Sequence, residues 1–234
     1  MEVKQLSFAY DPKYSFIEKI NTLIPKGKIT TIIGPNGSGK STLLQLLTKN
    51  LRASAGDIDI DGKNISEMRQ KELAKLIGVV HQHNIAPEDM TVEKLVYYGR
   101  LPYKKPFTPQ SDQDEEIVSC AIDSVGLEKH RHALLHTLSG GQQQRAWIAL
   151  ALAQKTPYIF LDEPTSALDI FFQYDILHVV KRLKEEQGLT IVMVLHDMNQ
   201  AMQFSDYLIA MKDGEIIEQG DPKTMMTEQL IKEV

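Results

Sequence analysis

A short apolar strand that runs into Gly34-Pro35-Asn36-Gly37-Ser38-Gly39-Lys40-Ser41-Thr42, and on into an apolar-periodic helix, leaves this chain few folds to choose from. The segment fits G-x-x-x-x-G-K-[ST], a turn whose glycines let successive backbone N–H groups point inward and wrap phosphate oxygens. Lys28 to Ile33 supplies the strand, and Leu43, Leu44, Leu46 and Leu47 mark the helix. The helix N-terminus adds roughly half a positive charge at the same place. Lys40 is expected to hold the β/γ phosphates as a point charge, and the Ser41 hydroxyl to ligate Mg²⁺.

The rest of the chain alternates short apolar segments with amphipathic ones, the α/β pattern. Strands are expected at Val3 to Phe8, Ile17 to Ile24, Lys28 to Ile33, Asp57 to Ile60, Ile77 to Val80, Tyr158 to Leu161, Thr190 to Leu195, Tyr207 to Met211 and Glu215 to Glu218. Ile29 to Ile33, Tyr158 to Leu161 and Ile191 to Leu195 run on without alternation, as in a parallel sheet covered by helices on both faces. The earliest strands read instead as an antiparallel layer. Pro25-Lys26-Gly27-Lys28 looks like a tight turn between two of them, and Asp61-Gly62 is a hairpin signal. Between about Asp89 and Lys155 the strand pattern gives way to helical periodicity at Thr91 to Gly99, Asp112 to Val125 and Gly140 to Gln154. Residues 90–154 are therefore expected to form a helical subdomain inserted into a nucleotide-binding core made of 1–89 and 155–234. Arg100 to Gln110, with three prolines, reads as a solvated loop.

Other strand ends carry polar chemistry. Tyr158-Ile159-Phe160-Leu161 ends in Asp162 and Glu163, and ligands sit at the carboxyl edge of a parallel sheet. Asp162 is expected to hold Mg²⁺, while Glu163, on the opposite side of the chain, is free to orient or deprotonate an attacking water. His196 follows Leu195 and is placed to touch a γ-phosphate; Gln82, after Val80, has a long neutral side chain suited to a metal-bound water. Leu138-Ser139-Gly140-Gly141-Gln142 then opens a further helix with a second bare-backbone turn, Ser139 being the N-cap. One nucleotide needs one such cradle. A second implies a nucleotide enclosed between two copies of the chain.

The net charge of -5 argues against a nucleic-acid binder working through a basic field. The single cysteine, Cys120, allows no internal disulfide and fits a reducing compartment. Met1 is followed by Glu2 and Lys4 with no apolar run, so no signal peptide is expected, and no stretch approaches ~20 uninterrupted apolar residues. Any membrane role must come through another chain. The pairs His81/His83 and His132/His136 lack a third ligand and are read as ordinary surface residues.

In order and spacing these pieces resemble the ATP-binding subunit of ABC transporters over essentially the whole chain. On that resemblance Gly34 to Thr42 is the Walker A turn, Gln82 the Q-loop, Ser139-Gly140-Gly141-Gln142 the signature and Asp162 the end of Walker B. Glu163 is then the catalytic glutamate, Asp169 in Ser166-Ala167-Leu168-Asp169 the D-loop, His196 the switch histidine and Tyr10 the aromatic that stacks on adenine. The implied fold is a P-loop NTPase (RecA-like) α/β core with an antiparallel β subdomain and an inserted α-helical subdomain. The implied activity is hydrolysis of ATP with Mg²⁺ by a homodimer, each signature closing on the γ-phosphate held by the other copy. Integral membrane permease subunits are the implied partners, on the cytoplasmic face of the cell membrane. An extracytoplasmic substrate-binding protein is an indirect partner, and nucleic acid is not one.

A narrower resemblance, to importers of ferric siderophores, haem or cobalamin, rests on Asp89-Met90-Thr91-Val92, Gly99-Arg100-Leu101-Pro102, Arg145-Ala146-Trp147-Ile148-Ala149 and Leu195-His196-Asp197-Met198-Asn199-Gln200-Ala201. Phe172 departs from it where that subfamily usually has His, as do Gln143 for a frequent Arg and Leu101 for a frequent Tyr. An exporter subunit or a soluble, non-transport ATPase would share the same core. The Gly99-Arg100-Leu101-Pro102 segment disfavours the exporter.

Overall fold

The computed structural model describes residues 1–11, 13–104, 111–166 and 168–225. Pro12, residues 105–110, Ala167 and residues 226–234 lie outside that description. The described strands are β1 (Glu2–Phe8), β2 (Ile17–Leu23), β3 (Ile29–Ile33), β4 (Ala55–Ile60), β5 (Lys63–Asn64), β6 (Ile77–Val80), β7 (Tyr158–Leu161), β8 (Thr190–Val194), β9 (Tyr207–Lys212) and β10 (Glu215–Gly220). The α-helices are α1 (Lys40–Leu47), α2 (Gln70–Leu73), α3 (Val92–Tyr97), α4 (Asp112–Ser124), α5 (Gly140–Ala153), α6 (Ile170–Gln187), α7 (Met198–Phe204) and α8 (Pro222–Met225).

One sheet is antiparallel, in the order β2-β1-β4-β5; the other has the order β10-β9-β3-β8-β7-β6. In the second, β9, β3, β8, β7 and β6 are parallel, and β10 closes the edge antiparallel to β9. Side chains of successive strand residues point to opposite faces, so a strand without polar alternation feeds two cores. Ile159 and Leu161 of β7 join one core with Ile191 and Met193 of β8 and the buried faces of α3, α4, α5 and α6. Tyr158 and Phe160 turn the other way, with Val192, Val194 and Ile32, against α1 and the antiparallel sheet. The continuous apolar runs are thereby explained residue by residue.

Two expectations need correcting. Pro25-Lys26-Gly27-Lys28 does not make a hairpin, because β2 and β3 belong to different sheets; the turn carries the chain from the antiparallel layer to the centre of the parallel one. Asp61-Gly62 does connect paired antiparallel strands, β4 and β5, and both residues have positive φ, as a two-residue hairpin turn requires. The second correction concerns Arg100, read above as solvated. It is 6% exposed, its Nε donates to Asp114 Oδ1 at 2.8 Å and its Nη1 to the Ala153 carbonyl at 2.8 Å, and it lies over the Tyr103 ring. A guanidinium is buried at tolerable cost only when its charge and donors are matched in this way. Arg100 thus ties α4 to the C-terminal end of α5, and Gly99 allows the close approach, since a Cβ there would sit 2.3 Å from the Leu150 carbonyl oxygen.

Parallel register decides where the chemistry collects. Val80 pairs with Leu161, Leu161 with Met193 and Ile32 with Val194, so β6, β7, β8 and β3 all end at the same edge. Gln82, Asp162 and Glu163, His196 and Gly34 follow those four ends directly. Phe160 anchors this arrangement from within, with no exposed area. Phe160→Ala is expected to lower unfolding stability by about 3–5 kcal/mol, the usual range for emptying an aromatic core site, as measured by urea denaturation of the nucleotide-free chain; a loss below about 1 kcal/mol would contradict this packing.

Candidate functional site

The first cradle has the backbone its glycines were expected to permit. Gly37 and Gly39 have φ of 82° and 100°, in the left-handed region closed to most side chains. Gly34 is needed for space as well: a Cβ there would lie 2.2 Å from the Met211 carbonyl oxygen. The turn is pinned from behind by Gly214, whose N–H donates to the Ser38 carbonyl at 3.1 Å, and Gly39 faces the ring of Phe16. Phe16, Met211 and Gly214 were not among the candidate residues. The dipeptide Asp213-Gly214 is a readable turn signal, but nothing in the sequence places it behind the cradle.

Lys40 begins α1 and is 5% exposed, with Nζ donating to the Gly34 and Pro35 carbonyls, each at 2.9 Å. Burial pushes its ammonium below the ordinary lysine value, against the pull of Glu163 and Asp162. Ser41 Oγ donates to Asp162 Oδ1 at 3.1 Å. Asp162 is 7% exposed, and burial raises its carboxyl above the ordinary aspartate value; Glu163 pushes the same way, while the Ser41 hydrogen bond and the nearby His81 and His196 oppose. The buried Ser38 Oγ has no hydrogen-bond partner among the described residues. Thus a cation, an anion and a hydroxyl lie out of water at one strand edge, each short of full compensation.

Glu163 departs from expectation in one respect. Its carboxylate is engaged on both oxygens rather than free: Gln82 Nε2 donates to Oε2 at 2.5 Å, and His196 Nε2 lies 2.7 Å from Oε1. Its φ of 48° is unusual for a non-glycine residue. The structure therefore brings Gln82, Glu163 and His196, singled out from three separate strand ends, into one contiguous polar group.

Tyr10 also reaches the cradle, its Oη lying 2.9 Å from Thr42 Oγ1, and its ring packs edge-on against Phe8 and Phe16. The ring is 63% exposed, so one face remains open. Ser139 is the N-cap of α5 in a capping box: its Oγ accepts from the Gln142 N–H, and its own N–H donates to Gln142 Oε1 at 3.0 Å. Gln142 Nε2 meets His130 Nε2 at 3.1 Å. Among the described residues, the side-chain hydrogen bonds of this second cradle stay within α5, the preceding turn and His130; none goes to Gly34 through Thr42. Asp169 caps α6 by position without a side-chain hydrogen bond to it.

A divalent cation can be tested against this donor set. Ser41 Oγ and Asp162 are hard oxygen donors held together, and the described residues contain no group of three or more His, Cys, Asp or Glu able to cage a metal. That combination suits Mg²⁺, which takes one or two protein oxygens and completes its octahedron with water and phosphate.

This geometry belongs to a recognisable class. The sequence profile described as ABC transporter matches residues 17–166, more than half of the chain, and the chain belongs to that family as an ABC-type ATPase with ATP as substrate. It is similar to the iron(3+)-hydroxamate import ATP-binding protein FhuC of Bacillus subtilis (strain 168), at 43% identity over all of this chain and 87% of that protein. The ferric enterobactin transport ATP-binding protein FepC of Escherichia coli (strain K12) is 43% identical over 99% of this chain and 85% of its own length. Among solved structures, an inward-facing putative metal-chelate type ABC transporter superposes with a TM-score of 0.87 at 29% identity, covering 99% of this chain and 86% of that one. A dimeric post-hydrolysis state of the ATP-binding cassette MJ0796, bound to ADP and Pi, gives 0.79 at 31% identity, covering 94% of this chain and 98% of that one.

The raised Asp162 carboxyl has a stability consequence with a definite sign. A carboxyl whose pKa is higher folded than unfolded favours the folded state when protonated, and that contribution is lost as pH rises through the folded value. Ionised Asp162 therefore opposes folding at neutral pH. Asp162→Asn, which keeps an oxygen for the Ser41 hydroxyl, is expected to raise the thermal midpoint of the nucleotide-free chain at pH near 7. The gain should shrink as pH falls toward the unfolded aspartate value of about 3.9. A lower midpoint at neutral pH would contradict the assigned cause.

Proposed function

We propose that this chain is the ATP-hydrolysing motor of an importer for ferric siderophores or a related metal chelate. It works as a homodimer on the cytoplasmic face of the cell membrane, beneath integral permease subunits that an extracytoplasmic substrate-binding protein supplies. The observation that carries the reading is the shared Glu163, held by Gln82 on one side and His196 on the other, beside the Lys40–Ser41–Asp162 cluster. Support for the cargo comes from FhuC and FepC, named for iron(3+)-hydroxamate and ferric enterobactin. Support for two copies comes from the second cradle, whose contacts leave the first cradle of its own chain alone, and from the dimeric cassette of similar fold. No helix among the described residues is long and apolar enough to cross a membrane.

On this reading the backbone N–H groups of Gly34, Asn36, Gly37, Ser38 and Gly39 surround the phosphates, with Tyr10 stacking on the adenine and Thr42 beside it. Pro35, which lacks an N–H, sets the turn. Lys40 exchanges the Gly34 and Pro35 carbonyls for β/γ-phosphate oxygens. Ser41, Asp162 and Gln82 are the groups that would hold Mg²⁺, which supplies charge neutralisation on the phosphates. Glu163 takes the proton from the attacking water, its carboxylate oxygens keeping lone pairs free beside the contacts with Gln82 and His196. His196 orients the γ-phosphate end, and Ser139, Gly140, Gly141 and Gln142 of the second copy close over that phosphate from the far side, with Asp169 at the same junction. Donors fixed in advance toward developing charge are the main source of rate enhancement in such a site.

Glu163→Gln tests the central assignment. Its amide keeps the shape but cannot accept a proton, so turnover is expected to fall by roughly 10²–10⁴ while ATP affinity is retained, measured by phosphate release and by equilibrium binding. Near-normal turnover would remove Glu163 from the chemistry. For the transport reading, the tagged chain is expected to co-purify from detergent-solubilised membranes with a polytopic permease; recovery free of any membrane protein, with ATPase activity intact, would favour a soluble role.

A further inference from the structure

The polar contacts between Leu168 and Gln200 form a chain that the phosphate cradle and the carboxylates do not account for. Gln173 donates from Nε2 to the Leu168 carbonyl at 2.8 Å, and its Oε1 accepts from Gln200 Nε2 at 2.6 Å. Gln200 is 2% exposed, and its N–H is held at 2.9 Å by Asp197 Oδ1, the N-cap of α7 and the neighbour of His196. The part-buried Gln173 amide is engaged at both ends, so losing one partner leaves a partly desolvated polar group unpaired. The same stretch of chain touches the second cradle. A Cβ on Gly140 would sit 3.2 Å from Leu168 Cδ2, and one on Gly141 3.1 Å from Phe172 Cδ1, so both glycine faces are already covered.

We propose that the Gln173–Gln200 bridge makes the first turn of α6 a coupling element, through which the Ser139 turn of a chain biases the His196 position of that same chain. The inference rests on the two-copy reading, in which the Ser139 turn serves the partner's nucleotide and His196 serves its own. Each chain then holds a packed connection from one nucleotide site to the other. Closure over the partner's phosphate presses Gly140 and Gly141 on Leu168 and Phe172, their nearest side-chain neighbours. The bridge passes the shift to Gln200 and Asp197, and so to the contact between His196 and Glu163. Gln173 and Gln200 touch no reacting atom; they are positioning residues.

The dependence of hydrolysis rate on ATP concentration, in the full-length protein, reads this coupling. The wild type is expected to be cooperative, with a Hill coefficient approaching the site number of two copies. Gln173→Met and Gln200→Met are each expected to bring the coefficient to about one. The double variant should match the singles, because residues acting as one unit are not additive. ATP affinity, measured separately in the Glu163→Gln background, is expected to stay unchanged. Gln173→Glu keeps the size of the side chain and the oxygen that faces Gln200, yet cannot donate to the Leu168 carbonyl. It is expected to lose cooperativity too, and it decides the question if either methionine variant melts at a lower temperature. Wild-type cooperativity retained in Gln173→Glu and in the folded methionine variants overturns the bridge and leaves the two-copy reading standing. A wild type with a coefficient of about one overturns both.

Discussion

The site depends on charge held out of water at the carboxyl edge of a parallel sheet. Lys40 and Asp162 are both nearly buried, and burial acts on each against its charged form. Their present partners are makeshift: two loop carbonyls for the lysine and one hydroxyl for the aspartate. A triphosphate with its cation offers each group a better counterpart, so ligand binding relieves a cost that folding alone leaves in place. Groups that pay this cost elsewhere in the chain, such as Arg100 with Asp114, are matched internally and need no ligand.

The geometry that imposes the cost follows from strand direction. Four parallel strands in close register deliver Gln82, Asp162 with Glu163, His196 and the first cradle to one edge, while their apolar bodies fill two cores. Glu163, at a positive φ, is held by two residues from neighbouring strand ends.

Much of this was legible from the residues because local signals and the global fold agree. The cradle between strand and helix and the continuous apolar strands have short-range causes, and the structure places them as those causes require. What could not be read depended on contacts between distant segments. The Pro25–Lys28 turn looks the same in sequence whether it returns to its own sheet or leaves for another. Arg100 among prolines reads as solvated until Asp114 and the Ala153 carbonyl are brought to it. Gln173 and Gln200 look like ordinary surface glutamines on two helices, and only the packing of α6 on α7 reveals that they bond to each other. Strand β5 is too short for any periodicity to show.

The central claim is that a single triphosphate is gripped by two polypeptides, through Lys40 of one and Ser139 of the other. The most direct measurement is a structure of the protein with a non-hydrolysable ATP analogue and Mg²⁺, reading the separation between the γ-phosphate and Ser139 Oγ of each copy. The account predicts hydrogen-bonding distance to the partner copy's serine, and none to the serine of the chain whose Lys40 holds the phosphates. A nucleotide enclosed by one copy alone, with the Ser139 turn of its neighbour facing solvent, would contradict it.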